Sequence, residues 1–320
     1  MSEGSDRMKN IKYFLSIFSI ALICACTSSE KDGGVASRLS EEEQKRVDEY
    51  KAEVEIGRNM AGRLLQYYGV VNNTPLIKYV NRVGNYVATY SDFPDRRYMF
   101  QIIDSDEVNA FACPGGYILI TAGSIRLAKN EAELAAILGH EVAHVGLKHM
   151  FNTLKSMDEK EMDSAAKEVA ENKKEDKSLT VRKRPEASES KFGNLVARYL
   201  AGGGAGLSIV KAASAGMNVI LTKGLDKKLE FEADHEGVKY AINAGYAPFA
   251  MPAFLGRLRK NKKKIASETL EKTHPSAKNR IARISKLLKE MDASKIAGAY
   301  GTSRYVEQKL SLPEKEKGKK

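Results

Sequence analysis

Apolar residues recur at helical spacing over most of the chain and follow strand-like patterns in two short stretches. Ser40 and Glu43 form a capping pattern that predicts a helix to about Tyr68, where Gly69 ends it. A second amphipathic helix is predicted over 74–90, with a proline in its first turn. Three further helices are predicted nearer the C-terminus, at 226–244, 248–260 and 275–291. The pattern therefore indicates a mainly helical protein.

The two strand-like stretches lie at 97–104 and 116–121, and both are rich in β-branched and aromatic residues. The run Pro114–Gly116 predicts a turn immediately before the second strand. Residues 156–191 are dense in charged and small polar side chains instead. We interpret that segment as a charged insertion or as a lid over a cleft.

The most apolar helix is predicted over 131–150, with Asn130 as its N-cap, and it contains two histidines and a glutamate. His140 and His144 are four residues apart, so a helix places both on one face, about one turn apart. Two imidazoles in that arrangement can bind one metal ion, and Glu141 stands beside the first of them. Polar groups in a buried helix need partners, which favours a metal site.

A third metal ligand is needed, and the best candidate lies on a different helix. Glu230 and Asp234 are also four apart, so Glu230 can bind the metal while Asp234 accepts a hydrogen bond from a ligand histidine. The spacing alone is equally consistent with two surface charges. Leu147 and Met150 occupy the positions where a metzincin would have its glycine and third histidine, which excludes that class.

The remaining polar candidates are interpreted as structural. His149 and His235 are predicted to be peripheral, and Glu232 is expected to project away from the metal. Cys113 is expected to be a packed small hydrophobe and not a metal ligand.

The formal net charge of +11 raises the question of a nucleic-acid partner. The lysines are concentrated in charge-rich segments such as 259–264 and 314–320, which are typical of solvated faces and tails. No basic motif interleaved with aromatic residues is found, and the N-terminus predicts export. We therefore predict no nucleic-acid partner.

The N-terminus has a charged start followed by an apolar run over 11–26 that is short for a membrane span. Alanine before Cys26 is typical of a bacterial lipobox, whereas isoleucine before Cys24 is not small. We predict a lipoprotein signal peptide at 1–25, with lipid on Cys26. An ordinary cleaved signal or an uncleaved anchor are the alternatives. The expected location is the cell envelope, anchored by lipid and facing the periplasm, and the lack of Asp after Cys26 favours the outer membrane.

The predicted organisation has four parts. A signal peptide at 1–25 precedes a flexible tether at 26–39, and the folded domain covers 40–295 with the charged segment 156–191 inside it. A charged tail is predicted over 296–320.

Four motifs occur in the chain: Asn109-Ala-Phe-x-x-Pro-Gly-Gly116, His140-Glu141-x-x-His144, Glu230-x-x-x-Asp234 and Thr273-His274-Pro275-x-x-x-x-Arg280. Together, over residues 55–290, they resemble zinc metallopeptidase family forty-eight, which contains the heat-shock protease HtpX, the CAAX prenyl proteases and the mitochondrial Oma protease. The resemblance implies an α+β fold, a mainly helical zincin-type metalloprotease domain with a small β-sheet beside the HExxH helix. The chain lacks the transmembrane helices of HtpX and the CAAX proteases, so it is more similar to the soluble, lipid-anchored branch.

The resemblance also implies a metal site. One Zn²⁺ per chain would be held by His140, His144 and Glu230, with Glu141 as the general base. Asp234 would orient a ligand histidine from outside the metal's immediate shell.

Further roles are implied for residues around the metal. Asn109, Ala110 and Phe111 resemble a substrate-binding edge strand, the alternative being an ordinary buried strand end. His274 would cover the zinc in a resting enzyme or orient substrate. Arg280 would anchor a carboxylate or assist the oxyanion.

The function implied is a zinc-dependent endopeptidase of the bacterial envelope that cleaves misfolded or misassembled proteins. Its partners would be polypeptide substrates and, through the lipid, a membrane. The alternative is a non-catalytic chaperone or assembly factor on the same fold, which would have no need of the base Glu141.

Overall fold

The computed structural model describes residues 39–157, 209–219, 221, 224–261 and 274–312. The predicted signal peptide, Cys26 and nearly all of the charged segment 156–191 lie outside these residues. Within the described ranges, no helix is both long enough and apolar enough to cross a membrane.

Ten α-helices and three strands are found in the described residues. The helices are α1 (Glu41–Tyr68), α2 (Thr74–Ala88), α3 (Ala122–Leu127), α4 (Glu131–Gly146), α5 (His149–Ser156), α6 (Ile209–Asn218), α7 (Lys227–Asn243), α8 (Ala250–Lys260), α9 (Ala277–Glu290) and α10 (Thr302–Leu310). The strands are β1 (Met99–Ile103), β2 (Ala110–Cys113) and β3 (Tyr117–Thr121). The predicted α+β class, mainly helical with a small sheet, is confirmed.

The helix ends follow the predicted local signals. Gly69 adopts a φ of 77°, a left-handed conformation that ends α1 at little cost because glycine has no side chain. Asn73 caps α2 by accepting a hydrogen bond from the backbone N–H of Leu76 at 3.0 Å. The first two helices therefore end and begin where the sequence indicates.

The sheet has the order β1–β3–β2, with β1 parallel to β3 and β2 antiparallel to it. Its two faces pack against different apolar clusters, since successive side chains of a strand point to opposite sides. Ile118 and Ile120 join the larger cluster, which includes side chains of α2, α4, α7, α8 and α9. Leu119 joins the smaller cluster formed with α1, α5 and α6. Strand β2 is left at the edge of the sheet.

Cys113 belongs to the smaller cluster and is fully buried as a free thiol. Burial raises its pKa, so the thiol stays protonated. The prediction of a packed small hydrophobe is consistent with this position.

The folded domain extends beyond the predicted boundary at residue 295. Helix α10 lies within the predicted tail, and its Tyr305 is buried and donates a hydrogen bond to the Ile125 carbonyl at 2.6 Å. The prediction of a tail is therefore wrong for 296–312. Tyr305 is the one buried residue of α10, so the composition of this segment shows mostly its charged, exposed face.

Candidate metal centre

Helix α4 carries the paired histidines and is buried along its whole length. Asn130 begins it, and the Asn130 side-chain oxygen accepts a hydrogen bond from the Glu133 backbone N–H at 3.0 Å, as predicted. Glu131 accepts hydrogen bonds from the hydroxyls of Tyr79 and Tyr246 at 2.7 and 2.8 Å. These contacts fix the start of the helix and so the direction in which its histidines point.

Helices α4 and α7 approach each other through glycines. A Cβ atom added to Gly237 would lie 2.5 Å from the backbone nitrogen of His140, and one added to Gly139 would lie 2.7 Å from the Gly237 carbonyl oxygen. Real Cβ atoms do not come that close, so both positions require glycine at this helix separation. The contact brings the acidic face of α7 to the histidine face of α4.

His140, His144 and Glu230 meet at this contact, and all three side chains are buried. The Nε2 atoms of the two histidines are 3.1 Å apart. The Glu230 oxygens lie 3.7 Å from His140 Nε2 and 3.4 Å from His144 Nε2. Burial alone would raise the pKa of Glu230, but its contacts with the neighbouring histidines His274 and His144 hold that pKa well below its ordinary value.

The spacing of these three atoms fits a small metal ion. Zinc bound tetrahedrally at 2.0–2.2 Å would hold its nitrogen and oxygen ligands about 3.3–3.5 Å apart. The observed separations of 3.1–3.7 Å bracket that range. Two imidazoles and one carboxylate are also the donor set of catalytic zinc sites that keep a position open for water. The residues present therefore fit the ion.

The outer nitrogen of His140 faces a buried ion pair. Its Nδ1 lies 3.1 Å from Asp234 Oδ1, which is the contact expected from the sequence. Arg280 forks onto the same carboxylate, with its Nε 2.9 Å from Oδ2 and its terminal nitrogen 2.7 Å from Oδ1. Burial alone would raise the pKa of Asp234, but the Arg280 charge and the hydrogen bond with His140 lower it. The carboxylate is therefore ionised and able to accept a hydrogen bond from the Nδ1–H group of His140.

The outer nitrogen of His144 faces a third histidine. His149 Nδ1 lies 3.0 Å from His144 Nδ1, and His149 Nε2 lies 3.5 Å from a Glu232 oxygen. His149 is buried, so the prediction that it is peripheral is wrong. Glu232 is about half exposed and approaches His149, not His140, His144 or Glu230, in keeping with the expectation that it projects away from the metal. His235 does lie outward, with its side chain about half exposed.

Glu141 is buried next to His140 and lines two cavities, one of which also includes His140 and the other His144 and Glu230. Including space open to solvent, their volumes are about 380 and 350 Å³. The first cavity has a mostly apolar wall that includes Ile137, Met251, Phe254 and Leu255. Burial raises the pKa of Glu141, which favours a group that can accept and return a proton.

Comparisons with known proteins identify a family and several relatives. Residues 77–288 match the model of peptidase family M48. The beta-barrel assembly-enhancing protease of Escherichia coli K12 is 25% identical over 232 residues, covering 72% of this chain and 42% of that protein. A putative beta-barrel assembly-enhancing protease of Vibrio cholerae is 28% identical over 217 residues, covering 66% and 39%. The mitochondrial metalloendopeptidase OMA1 of Schizosaccharomyces pombe is 25% identical over 257 residues, covering 79% and 62%.

The family match covers well over half of the chain. The chain belongs to peptidase family M48. The predicted family is thereby confirmed, and with it the class of metallopeptidase, a hydrolase of peptide bonds. The chain spans about two fifths of the length of the E. coli relative that it matches.

Within this M48 domain, His274 and Arg280 occupy different surroundings. His274 lies at the rim of the site, with its Nδ1 2.5 Å from Glu230 Oε2. Arg280 is buried and directs its guanidinium at Asp234, with its terminal nitrogen also 3.4 Å from His140 Nδ1. The structure therefore places Arg280 behind His140, on the side away from His144 and Glu230.

The predicted substrate-binding residues lie on the cavity walls. Asn109 and Ala110 line the first cavity, and Ala110 and Phe111 line the second. Ala110 and Phe111 belong to the edge strand β2, and Asn109 directly precedes it. The buried Asn109 side-chain nitrogen has no hydrogen-bond partner within the described residues, so it can donate to a ligand.

The sequence offered no spacing signal for His149. On a continuous helix, residue i+5 points about 140° away from residue i, so His149 would not face His144. Helix α4 instead ends at Gly146, and Lys148 adopts a left-handed φ of 57°. That turn starts α5 in a new direction and returns His149 to the metal ligands.

Proposed function

We propose that this chain is a zinc-dependent metalloendopeptidase of the bacterial cell envelope that cleaves misfolded or misassembled proteins. The observation that carries the proposal is the convergence of His140, His144 and Glu230 with Glu141 beside them. A scaffold without catalysis would need neither the open ligand set nor a buried carboxylate with a raised pKa. This favours the enzyme over a non-catalytic chaperone on the same fold.

The metal site would hold one Zn²⁺ on His140, His144 and Glu230. When bound, zinc supplies a Lewis acid that polarises the scissile carbonyl and lowers the pKa of an attacking water. Glu141 accepts the proton of that water as it attacks. The same carboxylic acid then delivers the proton to the departing amine, so Glu141 acts in both halves of the reaction.

An extended polypeptide would bind along β2. Within the described residues the strand has a neighbour on one side only, so its other side could form main-chain hydrogen bonds with substrate. The free N–H group of Asn109 supports a further hydrogen bond with a substrate carbonyl. Ala110 and Phe111 would shape the walls on either side of the scissile bond.

His274 and Arg280 receive separate roles in this proposal. The His274 ring contacts Glu230 and lines both cavities, which supports covering the metal in a resting enzyme or orienting substrate. The expectation that Arg280 anchors a substrate carboxylate or assists the oxyanion is revised, because its guanidinium is engaged by Asp234. Arg280 acts instead by positioning Asp234 against His140.

The test of this function is cleavage of casein by purified protein loaded with zinc. Glu141→Gln should retain zinc, since Glu141 is not a ligand, and should lose at least about 100-fold in rate with the base removed. His144→Ala should lose the zinc as well. His235→Asn alters an exposed histidine of α7 and should cleave like the wild type. Equal rates for wild type and Glu141→Gln would reject the mechanism.

The envelope location rests on the N-terminal sequence and on the names of the bacterial relatives, which are beta-barrel assembly-enhancing proteases. Cys26 would carry the lipid. In a bacterial host, Cys26→Ser should abolish incorporation of labelled fatty acid and release the protein from membranes, whereas Cys24→Ser should change neither. Labelling that is lost in Cys24→Ser and retained in Cys26→Ser would assign the anchor to the other cysteine.

A further inference from the structure

His144 differs from most metal-binding histidines in what its outer nitrogen contacts. Such a nitrogen usually donates its proton to a carboxylate, a backbone carbonyl or water. Here it faces the ring nitrogen of His149, 3.0 Å away. We propose that His149 and Glu232 are positioning residues that hold the His144 ring in its metal-binding orientation. The inference rests on the proposed zinc function.

The positions of the protons follow from the metal-binding arrangement. His144 turns Nε2 toward His140 and Glu230, so a metal ion on that atom leaves the proton of His144 on Nδ1. Two ring nitrogens 3.0 Å apart form a hydrogen bond only if one donates and the other accepts. His149 Nδ1 is therefore the acceptor, and the proton of His149 is on Nε2.

The Nε2–H group of His149 identifies the third residue of the hydrogen-bonded series, after His144 and His149. His149 Nε2 is buried and has no hydrogen-bond partner within the described residues. A Glu232 oxygen lies 3.5 Å away, slightly beyond a good hydrogen bond, on a side chain that is about half exposed. A small rotation of that side chain closes the bond, since it is free to move at the surface. Glu232 thus completes a chain from the metal ligand to solvent.

The hydrogen-bonded series from His144 through His149 to Glu232 begins on α4 and ends on α7, the two helices that carry the proposed metal site. Glu230 and Glu232 are two residues apart on α7, so one contacts His144 from the metal side and the other reaches it through His149. His144 is therefore held on both ring nitrogens. Without an acceptor at position 149, its buried Nδ1–H group would be unpaired and the ring free to turn.

The experiment measures zinc affinity by competition with a chromogenic chelator on the full-length protein. His149→Leu removes the acceptor and should weaken zinc binding about 10- to 100-fold. His149→Asn can place an amide oxygen near the position of Nδ1 and should restore most of that loss. Glu232→Gln should weaken binding only a few-fold, because the glutamine side chain keeps an oxygen that can accept from His149 Nε2. The control variant His235→Asn changes an exposed histidine that lies about one turn after Glu232 on α7. It should bind zinc like the wild type.

A second measurement does not depend on how the variants fold. In zinc-loaded wild type labelled with ¹⁵N-histidine, long-range ¹H–¹⁵N spectra should show His149 protonated on Nε2 and His144 on Nδ1. A proton on Nδ1 of His149 would overturn the inference, and so would unchanged zinc affinity in a folded His149→Leu. If the wild type itself binds no zinc, the proposed function fails first, which distinguishes the two outcomes.

Discussion

His140 and His144, the two histidines proposed to bind the metal, stand one turn apart on the same helix, yet they are supported in different ways. Behind His140 lies a fully buried ion pair of Asp234 and Arg280. Behind His144 lies a neutral ring, His149, and then a carboxylate that is half exposed. In the proposed metal site, one helix would orient His140 through a fixed charge and His144 through the arrangement of protons on two neighbouring rings.

The difference has energetic consequences. Removing one partner of a buried ion pair leaves an uncompensated charge, at a cost of about 3–5 kcal/mol. Removing a neutral acceptor leaves one unpaired N–H group, at a cost of about 1–3 kcal/mol. The His140 side should therefore contribute to folding as well as to metal binding, and the His144 side mainly to metal binding.

The largest effect is expected from Asp234→Ala. It leaves Arg280 buried without a partner, so the free energy of unfolding of the metal-free protein should fall by about 3–5 kcal/mol. Zinc affinity should fall about 10- to 100-fold, since His140 loses its orienting carboxylate. Urea unfolding and chelator competition measure the two losses. If the free energy of unfolding stays within about 1 kcal/mol of the wild-type value, the ion pair does not stabilise the fold. The surroundings of His140 and His144 would then not differ in their contribution to folding.

The double variant Asp234→Leu with Arg280→Met separates the loss of stability from the loss of zinc affinity. Replacing both members of a buried ion pair by apolar groups is often neutral or stabilising. The free energy of unfolding should therefore return close to the wild-type value. Zinc binding should stay weak, because His140 still lacks its hydrogen-bond acceptor. Recovery of full zinc affinity would mean that Asp234 does not orient His140.

A smaller effect is expected at Glu131, a buried carboxylate of α4 that lies away from the metal. Burial alone would raise its pKa, but hydrogen bonds from Arg304, Tyr79 and Tyr246 lower it. Its stabilisation is therefore present above the pKa of an unfolded glutamate, about 4.3, and is lost as the pH falls through the lower folded value.

Glu131→Gln should accordingly destabilise the protein at neutral pH by about 1–3 kcal/mol. The difference from wild type should shrink below about pH 4, where the wild-type carboxylate begins to protonate. Unfolding curves over this pH range, with and without zinc, check the prediction. A difference that depends on zinc would show that the start of α4 is coupled to the metal site.

The sequence predicted those parts of the site that follow helical spacing. His140 and His144 on α4, and Glu230 and Asp234 on α7, each depend on a four-residue offset within one helix, and the structure places them together. The end of α1 at Gly69 and the start of α4 at Asn130 followed from signals that act within a few residues.

Other features depend on tertiary contacts that no local pattern encodes. The pairing of Arg280 with Asp234 joins residues 46 positions apart, and nothing near Arg280 marks it as buried. His149 returns to the site only because Lys148 takes a left-handed conformation, which lysine seldom does. Helix α10 was missed because a single buried tyrosine does not produce a hydrophobic period.

The contact between Gly139 and Gly237 also determines when the ligand set becomes organised. The close backbone contact at these glycines sets the distance between α4 and α7. The distances among the proposed ligand atoms are therefore established as the chain folds and not by the ion. The conformational entropy of bringing the ligands together is lost at that stage, and little remains to be lost on binding. A rigid span suits ions with bonds of about 2.0–2.2 Å and disfavours calcium, whose bonds of about 2.3–2.6 Å would require the helices to separate. In the proposed site, these two glycines would therefore favour a metal ion of the size of zinc over one of the size of calcium.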